Sequence, residues 1–167
     1  MTGPLTGPGR GTQRLIDDLV ASRTDLFEAL DRLSPSSLTT PGLVGEWSAR
    51  ELIAHLGYWV GNAVETIHHV EDGRVEDIGI GALSTDETNA TVARIARETD
   101  LATVRKREAA SVEALLERLR RLDPGLLNVR LPDGATLEAG IDEDAGAHYR
   151  EHADDLSRGF EGAAGHD

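Results

Sequence analysis

The chain has 167 residues, 17 Lys or Arg against 30 Asp or Glu, and a formal net charge of −13. That length suits one domain with a real core, and that charge leaves no general attraction for nucleic acid or anionic membranes, so neither is expected as a partner. Cysteine is absent, which excludes disulfides, thiolate metal sites and cysteine nucleophiles together.

Residues 1–11 carry Gly, Pro and Thr without an apolar stretch, so they read as a loose leader and not as a secretory signal. No apolar run nears the ~20 residues that span a bilayer, and the expected compartment is the cytoplasm. The first helical stripe runs from about Thr12 to Leu33 through Leu15, Leu19, Leu26 and Leu30, and Ser34-Pro35 stops it. A second helix starts at Ser48-Ala49-Arg50-Glu51, a capping-box pattern with Trp47 and Leu52 at the staple positions. It continues through Ile53, Leu56, Val60, Val64 and Ile67 towards Gly73. A third region, about Thr85 to Leu122, breaks near Thr99-Asp100, where a new cap is available. Its second half is periodic through Leu101, Val104, Val112, Leu115, Leu116, Leu119 and Leu122, and Asp123-Pro124-Gly125 ends it. A loop follows, with Val129-Arg130-Leu131 as a short extended piece. The last helix runs from Thr136 or Asp142 to Phe160, and residues 161–167 read as a frayed tail. No segment alternates like a strand and no repeat is present. The fold class is all-α, a four-helix bundle over residues 12–160.

Histidine carries the chemistry. His148 and His152 are i and i+4 on the last helix, so both leave one face a turn apart. His55 sits in the apolar stretch Leu52-Ile53-Ala54-His55-Leu56 and shares a face with Glu51, Trp59 and Asn62. A core histidine plus an i,i+4 pair is the inventory of a three-histidine site, which leaves positions open for water or substrate. Imidazole suits Zn, Ni, Fe or Cu alike. His69 lies fourteen residues beyond His55, about 21 Å at 1.5 Å per residue, so it cannot share that ion. His68 and His69 suit the helix end, and His166 lies in the tail. His148-Tyr149-Arg150-Glu151-His152 also fits H-x-x-E-H, an inverted zinc-peptidase pattern. That reading needs a carboxylate ligand well downstream and a larger domain.

Two pieces together resemble the DinB/YfiT-like superfamily of metal-binding four-helix bundles. Gly45-Glu46-Trp47-Ser48-Ala49-Arg50-Glu51-Leu52-Ile53-Ala54-His55 is similar to its G-x-W-S-x-x-[DE]-x-x-x-H entrance to the second helix. Ala147-His148-Tyr149-Arg150-Glu151-His152-Ala153 is similar to its final-helix H-x-x-x-H. The resemblance implies that His55, His148 and His152 ligate one divalent metal. It also implies relatives that use mycothiol, bacillithiol or glutathione for S-transfer or isomerisation, mycothiol-dependent maleylpyruvate isomerase among them. A further branch, similar around Asp86-Glu87-Thr88-Asn89, hydrolyses reactive natural products and protects the producer. These 167 residues are expected to hold no counterpart of the extra C-terminal domain of the maleylpyruvate isomerases, so the resemblance does not by itself imply their isomerase reaction.

A metal with three neutral ligands is a Lewis acid that can activate water or hold a thiol as thiolate. With no cysteine in the chain, any thiol must be a small co-substrate. Sixteen of the 17 basic residues are Arg, which with the Ala and Gly content points to an actinobacterium, where mycothiol is the expected thiol.

Several side chains have a functional and a structural reading. Trp47 reads first as staple and core. Glu51 is a cap or an orienter of His55. Trp59 and Asn62 are candidate contacts for a co-substrate, and Tyr149 a candidate acid. Glu108, inside the apolar stripe of Val104 and Val112, is a water-facing edge or a pocket acid, and with Glu151 a candidate base. Asp154 and Asp155 read as a solvated face. Three functions follow: a metal enzyme activating a thiol against an electrophilic small molecule, a metal hydrolase, or a protein that sequesters its ligand without turnover. A homodimer through the first helix or residues 73–84 stays open.

Overall fold

The computed structural model describes the backbone of residues 10–164 and the side chains of residues 11–158. Among them the chain forms six α-helices and no strand: α1 Arg10–Asp31, α2 Ala49–Glu71, α3 Thr85–Arg97, α4 Leu101–Arg121, α5 Leu137–Asp144 and α6 Gly146–Ala164. The long helices α1, α2, α4 and α6 are the four of the bundle. α2 packs along α4 and α1 along α6, with α3 and α5 against α2. The leader and tail boundaries fall largely outside the described residues, as does His166. Arg10 and Gly11, assigned to the leader by sequence, are already helical, and the α6 backbone runs past Phe160 to Ala164.

The stripes read from sequence make the core. Leu15, Leu19, Leu26 and Leu30 of α1 meet Leu52, Ile53, Leu56, Val60 and Ile67 of α2 and Val104, Val112, Leu115, Leu116 and Leu119 of α4, all buried. Burial of apolar surface on this scale is the main term holding the helices together. α2 ends as Gly73 takes φ +69°, a left-handed turn that glycine enters without steric penalty. α4 starts where Asp100 accepts from the Thr103 amide at 2.8 Å. The extended piece after α4 is a single bridge between Arg130 and Thr136.

Two local expectations fail. The Ser48–Glu51 capping box does not form. Instead the Ser48 hydroxyl donates to Glu51 Oε1 at 3.2 Å, and Arg97 Nε lies 3.3 Å from Oε2. The carboxylate is buried and drawn across to α3, so it does not turn back to its own helix start. The same S-x-x-E pattern at Ser84 and Glu87, exposed to solvent, does close into a reciprocal box. The last helix is also two helices. Ala145 (φ −124°, ψ −101°) breaks it, and α6 restarts at Gly146, where a Cβ would lie 3.2 Å from Asp18 Cβ of α1.

Leu56, next to His55 and fully buried, tests how far the core supports the site. Leu56→Ala is expected to lower unfolding free energy by about 2–5 kcal/mol, read as a shift of the urea midpoint.

Candidate metal centre

α2 brings His55 and α6 brings His148 and His152 to one end of the bundle. His55 is 6% exposed, and its Nε2 faces His148 Nε2 at 2.8 Å. The three rings lie with centroids 4.6–5.4 Å apart, and one ring nitrogen from each lies within 4.8 Å of the others.

Burial holds all three rings neutral. Loss of hydration pushes His55 down to about 3, aided by its two histidine neighbours. The same loss, with His152 nearby, pushes His148 to about 4, although the Asp144 carbonyl region opposes it. His152 is lowered by burial against the opposing pull of Asp155 and Glu151. Neutral imidazole is the form that offers a lone pair. Nδ1 of each ring is buried without an aligned hydrogen-bond partner among the described residues. Asp155 Oδ2 lies 3.2 Å from His152 Nδ1 but is not aligned for a hydrogen bond. Asp155 therefore flanks the site, contrary to its reading as a solvated face.

The rings open on a cavity of about 400 Å3 lined also by Trp47, Trp59, Thr85, Asn89, Glu143, Asp144 and Glu151. The family model described as the DinB superfamily matches residues 18–154, a span that holds all three histidines. The chain belongs to the DinB superfamily. No curated protein and no solved structure matches it.

Within this DinB-superfamily fold the other expected site residues divide. Trp47 is half-buried on the cavity wall, its ring 4.7 Å from that of His55, and does not join the apolar core. Trp59 lines the cavity, and its Nε1 donates to Asn89 Oδ1 at 2.9 Å. Glu151 lines it from an exposed position. Asn62 does not line it. Its amide donates to Asp144 Oδ2 at 2.8 Å and borders an adjoining cavity of about 330 Å3, which shares Trp59, Glu143 and Asp144 as a wall. Glu51 does not orient His55, whose Nδ1 has no partner. His68 and His69 lie in the last turn of α2, with Arg118 and the Glu65 carbonyl as partners.

Glu108 and Tyr149 are absent from the histidine cavity. Tyr149 follows His148 by one residue, about 100° around the helix, and this turns it into the bundle, where it is fully buried. Its hydroxyl donates to Glu108 Oε1 at 2.6 Å. Arg23 of α1 grips the same carboxylate with Nε at 2.7 Å and Nη2 at 2.8 Å, the bidentate geometry of strong charge-assisted pairs. Arg150 points off the histidine face, 3.9 Å from Asp18.

Sequence reasoning missed Asn89, Glu143 and Asp144 as site residues. Asp144 had a signal in its spacing of four from His148, although the break at Ala145 puts the two on different helices. It is pushed up to about 6 by burial, with Asn62 opposing and Glu143 adding to the rise. Asn89, on α3, had none beyond the resemblance of its segment.

Tyr149 is held well above the ordinary tyrosine value by burial and by the Glu108 charge, against a smaller pull from Arg23. A raised folded-state value means full stability below pH ~10, the ordinary value. Stability then falls above it as the unfolded chain alone ionises. In Tyr58→Phe, which leaves Tyr149 as the single tyrosine, the rise in 295 nm absorbance with pH is expected to coincide with loss of helical circular dichroism. A rise while the helix signal is intact would contradict this burial.

Proposed function

We propose that this protein is a metal-dependent enzyme acting on an electrophilic small molecule, with a divalent ion held by His55, His148 and His152. The observation that carries the reading is the convergence of three neutral imidazoles, one buried and two half-buried, on the wall of an open cavity. The donor set fits such an ion. Two facing imidazoles can share only one hydrogen bond, whereas a cation satisfies three lone pairs at once, and three protein ligands leave room for substrate. Imidazole donors suit Zn, Ni or Fe. When bound, the ion supplies Lewis acidity that favours the deprotonated form of a small nucleophile.

The chain's own residues shape the rest. Trp47 and Trp59 present flat apolar faces for the electrophile, and Asn89 fixes the second of them. Glu143, Asp144 and Glu151 line the cavity, and among the described residues no Lys or Arg does. A co-substrate bearing carboxylates is therefore disfavoured. An uncharged thiol of the mycothiol type fits better, and the reaction read first is S-transfer or isomerisation. Glu151 favours a second reading. It is a carboxylate on the cavity wall, one residue before His152, and in this reading it would take a proton from water in the hydrolysis of a reactive natural product as self-resistance.

Protein purified without chelator or His-tag is expected to hold about one divalent ion per chain by mass spectrometry, lost in His55→Ala and His152→Ala. Turnover of an electrophile that requires added thiol supports transfer or isomerisation, and turnover without thiol supports hydrolysis. Tight stoichiometric binding with no turnover would replace both with sequestration, and turnover retained in His152→Ala would overturn the site.

A further inference from the structure

We propose that Glu108 is a positioning residue for the histidine cluster, the point on α4 against which both histidine-bearing helices are set. The inference rests on the three-histidine metal reading above and assigns to Glu108 and Tyr149 a role other than acid or base.

The cluster joins α2 to α6, yet these helices pack little against each other directly; their main partners are α4 and α1. Their relative placement is therefore transmitted through the bundle. On one side, Gly57 of α2 lies two residues after His55. Its backbone comes so close to α4 that a Cβ there would sit 2.9 Å from Glu108 Cα and 3.2 Å from its Cβ. On the other side, Tyr149 lies between His148 and His152 in sequence and reaches across to Glu108 Oε1 at 2.6 Å. α4 and α6 have little backbone packing of their own, so this bond is a side-chain strut between them. Arg23 ties the same carboxylate to α1. Glu108 is 1% exposed. A buried charge tolerates little displacement, because losing a partner leaves it uncompensated. The backbone of Glu108 thus fixes the depth of α2, and its carboxylate fixes the rotation of α6. Metal sites need their ligands held to within about 0.5 Å, and the strut supplies that constraint at one remove.

The test compares Tyr149→Phe, which keeps the ring and removes the donor, with Leu119→Ala, a buried α4 variant eleven positions from Glu108. Co2+ alone is the probe, read by isothermal titration and by the visible spectrum of the loaded protein. Tyr149→Phe is expected to weaken Co2+ binding by about tenfold, at the low end of the loss seen for supporting partners, and to shift the spectrum. Leu119→Ala is expected to lose stability while keeping both. Wild-type affinity and spectrum in Tyr149→Phe, or an equal loss in Leu119→Ala, would overturn the proposal. Should Tyr149→Phe not fold, Gly57→Ala replaces it, with the same expectation and the same overturning results.

Glu108→Gln, which still accepts from Tyr149, is expected to stay closer to the wild-type spectrum than Glu108→Ala; no difference between them would count against the strut. If wild-type protein binds no Co2+, the metal reading fails, and the strut is judged on metal-free protein. There the nuclear Overhauser contact between the His55 and His148 rings should persist in wild type and in Leu119→Ala and weaken in Tyr149→Phe. An unchanged contact would overturn it.

Discussion

A carboxylate sits at the centre of an apolar bundle, and the arrangement around it follows from the cost of putting it there. Glu108 falls in the stripe that buries Val104, Val112 and Leu115, where an ionised group without partners would cost several kcal/mol. The bundle meets that cost with a bidentate guanidinium from α1 and a phenol from α6. Such a pair adds little net stability compared with apolar packing. It does add direction. A layer of leucines can slide or rotate by small amounts, whereas two hydrogen bonds and a phenolic strut cannot without leaving a charge exposed to hydrocarbon.

The histidine end of the molecule has the opposite character. Its polar groups are under-satisfied: the buried Nδ1 atom of each of the three rings lacks an aligned partner among the described residues, and His55 and His148 face each other through nitrogens that loss of hydration keeps neutral. Buried polar atoms in native proteins are nearly always paired. Three imidazoles brought together in this way at a cavity wall could hold a metal ion. The two ends are joined through the same helices, since His148 and Tyr149 are neighbours on α6 and His55 and Gly57 are near neighbours on α2.

What was legible in the sequence was what depends on local spacing. The i,i+4 histidines, the leucine stripes and the cap at Asp100 all follow from helix geometry alone. The roles of Glu108 and Tyr149 were not, because a polar residue in an apolar stripe looks the same whether it faces a pocket or a partner. The deciding residue, Arg23, lies 85 positions away. The two S-x-x-E patterns make the same point within one chain. At Ser84 the box closes in water, whereas at Ser48 the glutamate is buried and shared with Arg97, so tertiary context overrides the local signal. The break at Ala145 likewise reflects the close approach of Gly146 to α1, which no periodicity reports.

The acidic wall of the cavity bears on the chemistry read for it. A nucleophile that becomes negative beside Glu143, Asp144 and Glu151 would be opposed by their charges, and among the described residues no Lys or Arg lines the cavity to offset them. For an enzyme of the kind proposed, the compensating charge has to come from the ion that the histidines hold. The neutrality of those histidines then matters twice. It keeps their lone pairs available, and, as ligands without charge, they would leave the charge of a bound ion undiminished. For the co-substrate proposed, the same wall would discriminate by charge: each carboxylate on an incoming molecule would meet like charge in a partly buried space, where screening is weak. An uncharged molecule pays none of that penalty. Selection by charge at this site is therefore set by helix α5 and the start of α6, which contribute the acids. The two properties are not separable on α6, where Glu151 stands next to His152, whereas Glu143 and Asp144 stand on α5, which carries none of the three histidines.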